Sequence, residues 1–84
     1  MESTIQELIQ NIVVEICDFK NDVDVKEIPG DASSIIEIHV NKKDQGKVIG
    51  KGGKVIQAIR TIVYTISYRS KKRYNIEVIG EIKE

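Results

Sequence analysis

The chain lacks most of the devices that fasten or specialise a small protein. It has one cysteine, Cys17, so no disulfide closes within it. That cysteine and a single histidine, His39, are too few for a Cys/His metal cluster within one chain. No apolar run approaches the roughly 18 residues that a membrane span requires. The N-terminus, Met1-Glu2-Ser3-Thr4, is acidic rather than basic and does not read as a secretory leader. No linker, repeat or low-complexity tract divides the sequence. These absences lead us to expect one soluble, cytoplasmic domain over residues 1–84, with its core at about 4–79 and Cys17 as a small buried hydrophobe.

What is present is ordinary globular material, 40% apolar and 31% charged, with a net charge of zero. The zero hides an asymmetry. Residues 1–38 carry nine acidic and two basic side chains, a net of −7, and residues 39–73 carry ten basic side chains against Asp44 alone, a net of +9. Residues 74–84 restore the balance with −2. Such a run can be a merely solvated surface, but this one encloses a glycine-rich turn, which favours an anionic partner.

Periodicity orders the elements. Ser3 or Thr4 can cap a first helix, with Gln6 or Glu7 as the capping-box partner, and Ile5, Leu8, Ile9, Ile12, Val13 and Ile16 form its apolar face. Turn formers collect at Asp18–Asp22. Val23, Val25 and Ile28 then make a short strand closed by Pro29-Gly30-Asp31, and Ser34 to Val40 alternates as a second strand, antiparallel to the first. Asp44 can cap a very short helical turn through Val48-Ile49. From Lys54 a longer helix presents Val55, Ile56, Ile59, Ile62, Val63 and Ile66 inward, with Gln57, Arg60, Thr61, Tyr64 and Tyr68 elsewhere. Ser67 to Lys72 reads as a connection, Tyr74 to Ile79 as a last strand and Gly80 as the start of a frayed tail. The result is an α+β chain of order α-β-β-α-α-β, with a three-stranded sheet whose helices cover one face.

Lys47-Val48-Ile49-Gly50-Lys51-Gly52-Gly53-Lys54 carries the chemistry. Gly50 and Gly53 bracket two residues whose main chain a ligand can approach closely, and Lys54-Val55 open a helix whose free N–H groups favour phosphate. Lys47, Lys51 and Lys54 supply the counter-charge. A tight helix–helix turn kept only for packing is the rival reading. The phosphate loop of ATPases and GTPases does not fit, because no Gly-Lys pair here is followed by Ser or Thr. The dinucleotide fingerprint fails too, since position 55 is Val. His39 reads as a half-exposed strand residue, nothing nearby lowers the pKa of Cys17, and no carboxylates pair for acid–base work, so the residues describe no enzyme and call for no cofactor.

Val48-Ile49-Gly50-Lys51-Gly52-Gly53 followed by Lys54-Val55-Ile56-Gln57-Ala58-Ile59-Arg60 resembles the signature of the K-homology (KH) nucleic-acid-binding domain, and the element order matches its type II form. With Asp44-Gln45-Gly46-Lys47, Ala58-Ile59-Arg60-Thr61 and Lys72-Arg73, the whole chain is similar to the small bacterial single-KH RNA-binding proteins of the KhpA family. That resemblance implies a groove for about four unpaired nucleotides. Gly50, Lys51, Gly52 and Gly53 would meet the sugar-phosphate chain, flanked by Lys47 and Lys54. Ile49, Val55 and Ile56 would form an apolar floor or belong to the core, and Arg60 would reach phosphate or the groove's edge. The second strand, at Ile36, Ile38 and Val40, would make the opposite wall.

The resemblance further implies a non-enzymatic RNA chaperone or post-transcriptional regulator that pairs with itself or with a larger KH-containing protein of the KhpB type. Tyr64, Tyr68 and Ile79 would be its interface, or plain surface. With no aromatic in the turn, salt-sensitive backbone contacts should outweigh base stacking. The alternative use of the fold is a protein-interaction module that assembles a larger RNA-associated complex.

Overall fold

The computed structural model describes residues 4–82. Helix α1 (Ile5–Ile16) leads through a short 3-10 turn at Lys20–Asp22 to strands β1 (Asp24–Pro29) and β2 (Ser33–Asn41). Helix α2 (Lys42–Ile49), a second 3-10 turn at Lys51–Gly53 and helix α3 (Lys54–Ser70) carry the chain to strand β3 (Arg73–Glu81). The sheet order is β1-β2-β3. β1 and β2 pair antiparallel, with Val25 opposite Ile38, whereas β2 and β3 run parallel, with Ile36 opposite Ile76. The α2–α3 pair therefore serves as the crossover that parallel neighbours require.

Thr4 is the cap of α1: its hydroxyl accepts a hydrogen bond from the Glu7 N–H at 3.0 Å and faces the Glu7 carboxylate at 3.4 Å. Ser3, the other expected cap, lies outside the described residues. One stripe of α1, centred on Ile9 and Val13, packs with Val25, Ile36, Ile38, Val40, Val48, Ile56, Ile59, Val63 and Ile76 into a single core. The strict alternation in β2 follows from this one-sided cover: Ser34, Ile36, Ile38 and Val40 are buried, while Ile35, Glu37 and His39 line the half-open opposite face.

Both sheet edges are blunted by side chains. Gln6 Nε2 donates to Val25 O at 2.7 Å, and Gln10 receives Val25 N–H at 2.9 Å while donating to Val23 O at 3.1 Å. On the other edge, Arg60 Nη2 donates to Ile76 O at 3.1 Å. Occupied main-chain groups of this kind discourage unwanted strand pairing.

Four local expectations need correction. Asn41, not Asp44, caps α2, its side-chain oxygen accepting from Lys43 N–H at 2.9 Å. The residues expected to link the last helix and strand instead extend α3 to Ser70, and only Lys71-Lys72 connect, with Lys71 in the left-handed region at φ 60°. Gly80 lies within β3, where a Cβ would come within 2.5 Å of the Gln45 side chain, so a tight packing contact holds the strand's end. The inner stripe of α3 is Ile56, Ile59, Val63 and Ser67, whereas Ile62 and Ile66 are 45% and 39% exposed. This helix covers the sheet with a narrower arc than its apolar pattern spans.

Candidate nucleic-acid interface

The glycine turn folds as its residues demand. Gly50 takes φ 78°, ψ 166°, a region open essentially to glycine alone, and a Cβ there would lie 2.5 Å from Val55 Cγ2 and 2.8 Å from Val55 N. Gly50 thus lets α3 start directly against the end of α2. Gly53, left-handed at φ 78°, is the N-cap of α3 and brings no side chain to it. The first N–H groups of α3 consequently have no side-chain cap, and the dipole's positive end meets an uncovered backbone. Lys51, Gly52 and Lys54 are exposed, with Gly50 and Gly53 half-exposed. Nothing lies within 4 Å of where a Cβ would stand on Gly52 or Gly53.

The three lysines differ. Lys47 reaches back to Asp18, with which it forms a close ion pair, and to Asp44 at 3.4 Å. The hydrogen bond to Asp18 holds the Lys47 ammonium above its ordinary pKa and outweighs desolvation. Among the described residues, Lys51 and Lys54 have no carboxylate partner. Of the charges expected at the turn, these two are uncommitted.

Asp44 explains why Lys47 is held. Its side chain is 0% exposed, and its two oxygens accept the N–H groups of Asp18 at 3.1 Å and Phe19 at 2.9 Å. Burial alone would raise its pKa. The hydrogen bonds from Phe19, Asp18 and Lys47 prevail and keep the carboxyl below its usual range. Asp44 was expected as a cap for its own helix; in fact it closes the turn after α1 and fastens that turn to α2. Its solitude in the basic run was the one sequence signal of a special role. The neighbouring Cys17 thiol is pushed up to about 11 by burial and then by Asp44, so it is a poor nucleophile.

The remaining expected residues divide between surface and core. Ile49 and Val55 border the turn and are partly accessible, while Ile56 is 5% exposed and belongs to the core. Arg60 lies one and a half turns along α3, between that helix and β3. Ile36, Ile38 and Val40 cannot form a groove wall: each is 0% exposed in the central strand, covered by helices and flanked by β1 and β3. The strand edge that faces α3 belongs to β3. His39, on the open face, contacts Glu37 at 3.0 Å and Glu81 at 3.3 Å, remote from a catalytic arrangement. Among the described residues no group of three His, Cys, Asp or Glu could hold a metal, and no helix is long and apolar enough to cross a membrane.

A family model described as KhpA/KhpB, KH domain, matches residues 6–78. The chain is 45% identical over 73 residues to the RNA-binding protein KhpA of Caldanaerobacter subterraneus subsp. tengcongensis, covering 87% of this chain and 97% of that one. It is 39% identical over 74 residues to the RNA-binding protein KhpA of Clostridium perfringens, covering 88% and 99% respectively. Among solved structures, Era of Aquifex aeolicus superposes with a TM-score of 0.58 at 18% identity, covering 94% of this chain. The chain spans 30% of that protein, and the likeness concerns the fold alone.

Proposed function

From the premise that the chain belongs to the KhpA/KhpB family of KH-domain proteins, we propose that it binds single-stranded RNA at residues 47–60, without catalysis. The observation that carries the reading is an accessible glycine turn at Gly50–Gly53, uncapped by any side chain, with Lys51 within it and Lys54 after it unpaired among the described residues. The turn takes the sugar-phosphate chain, the open α3 terminus receives a phosphate, and Lys51 and Lys54 neutralise its neighbours. Ile49 and Val55 give apolar contact to bases, and Arg60 bounds the groove on the β3 side. Lys47 contributes field more than contact, because Asp18 and Asp44 hold it.

In this reading the protein is a cytoplasmic RNA chaperone or post-transcriptional regulator. One small clamp holds RNA weakly, so pairing with a second copy or with a larger KhpB-like protein would raise its hold. The exposed Ile62 and Ile66 are apolar surface available to such a pair, and they also favour the second reading, a module whose main task is assembly.

Lys51→Asp combined with Gly52→Asp separates the two. Gly52 sits at φ 64° with open space around it, and aspartate tolerates that conformation better than most residues. Fluorescence anisotropy with a short unstructured RNA should show a loss of more than about tenfold, since two carboxylates replace one phosphate partner. Circular dichroism should remain native. Unchanged RNA affinity in the folded variant would favour the assembly module.

A further inference from the structure

At the opposite end of α3 from the glycine turn, the helix, the Lys71-Lys72 connection and the start of β3 enclose a cleft of about 710 Å³. Its walls combine two kinds of side chain. Tyr64 and Tyr68 stand one turn apart on α3, 69% and 74% exposed, with ring centroids 6.4 Å apart and planes inclined at 49°. Tyr74 joins them from β3. Lys71, Lys72 and Arg73 bring three cations, and among the described residues no carboxylate-bearing side chain lines the cleft. Lys72 lies 5.5 Å from the Tyr74 ring centroid and 3.4 Å from the carboxylate of Glu27 outside the cleft. Arg60, bonded to Ile76 O, marks the end nearer the turn.

Exposed tyrosines alone would suit a protein partner. An apolar protein face laid over these rings would also desolvate Lys71 and Arg73 without compensating them, which is unfavourable. An unpaired nucleic-acid strand matches both features, since its bases stack on aromatic rings and its phosphates take the cations. We propose that this cleft is a second RNA subsite, in which a base stacks against Tyr64, Tyr68 and Tyr74 while the adjoining phosphates meet Lys71 and Arg73. The proposal rests on the reading of this chain as a binder of single-stranded RNA. Fourteen residues of helix separate Lys54 from Tyr68, about 21 Å at 1.5 Å per residue. A strand held over about four nucleotides at the turn therefore needs additional length to enter the cleft. Once one end is held, the second contact is intramolecular.

The test measures anisotropy with unstructured RNAs of about four and about twelve nucleotides, a length difference chosen to span the two sites. In Tyr64→Ala/Tyr68→Ala the short RNA should bind as to the wild type. The long RNA should lose about tenfold, within the range of aromatic stacking. Tyr64→Phe/Tyr68→Phe, which keeps the rings, should restore it. Lys71→Ala/Arg73→Ala leaves the rings in place and should lower the salt dependence of long-RNA binding by about two phosphate contacts. Full long-RNA affinity in both the alanine pairs overturns the proposal. So does a change in sedimentation with RNA binding intact, which would assign the rings to a protein interface. Loss in the tyrosine variant alongside normal binding by Lys51→Asp/Gly52→Asp would support the cleft and remove the turn, so the two failures are distinct.

Discussion

The two flanks of the glycine turn are built on opposite principles. On the α2 side, a fully buried carboxylate at Asp44 gathers two main-chain N–H groups and the Lys47 ammonium. On the α3 side, a helix begins from a glycine with no side-chain cap, and Lys51 and Lys54 lie in solvent. One flank is closed and internally neutralised; the other is open and electropositive. The difference shows how a chain of 84 residues can afford an uncapped helix start. The polar cross-link fixes α2 to the turn after α1, and Gly50 then passes that rigidity through close contact with Val55 to the start of α3.

The largest expected effect comes from removing the closed flank. Asp44→Ala leaves the N–H groups of Asp18 and Phe19 without their acceptor and should destabilise the fold by about 3 kcal/mol, the usual cost of breaking a buried charged network from one side. Urea denaturation measures it, and a loss under about 0.5 kcal/mol would mean that the closed flank is dispensable. Its pH dependence has a definite sign. The folded Asp44 carboxyl titrates below its ordinary range, so its stabilisation is complete above about pH 4 and fades as acid protonates the folded form. The stability gap between wild type and Asp44→Asn should therefore be flat from pH 7 to about pH 5 and shrink below about pH 4. A gap that widened in acid would reverse this assignment.

Next in size is Gly50→Ala. Its Cβ would collide with Val55 main-chain and side-chain atoms in a glycine-only conformation, a cost of about 2 kcal/mol or more. Gly52→Ala meets open space and carries only the left-handed penalty, about 1 kcal/mol. Thermal melts of the two variants should therefore rank them, with Gly50→Ala the lower. Equal melting temperatures would mean that the turn relaxes freely and that Gly50 does not brace α3.

Much of this arrangement could be read from the sequence where the cause is local. Thr4 with Glu7, the alternation of Ile36, Ile38 and Val40, and the glycines of the turn each act within a few residues, and the structure keeps them as expected. What escaped depends on partners distant along the chain. Gln6 and Gln10 matter because β1 lies beside α1, and Asp44 because residues 18 and 19 return to it. Ile62 and Ile66 have the helical period of core residues, but α3 buries an arc centred on Ile56, Ile59 and Val63. Ile36, Ile38 and Val40, a groove wall by family resemblance, are core because β3 pairs beside β2 and leaves it in the middle of the sheet. Likewise, Tyr74 lines one cleft with Tyr64 and Tyr68 only when that strand returns along the helix.

The smallest expected effect separates the flanks most finely. Salt dependence counts the cations that displace counterions from phosphates, rather than the total field around them. Lys51 is exposed and unpaired among the described residues, so Lys51→Ala should weaken RNA binding a few-fold and lower the salt slope by about 1. Lys47 is held between Asp18 and Asp44, so Lys47→Ala should leave the slope unchanged and reduce affinity only modestly at low salt. Anisotropy titrations between about 50 and 200 mM salt resolve a single contact of this kind. If both variants lower the slope equally, Lys47 exchanges its carboxylates for phosphate when RNA arrives. The α2 flank would then open on binding, and the contrast between the two sides would hold only for the free protein.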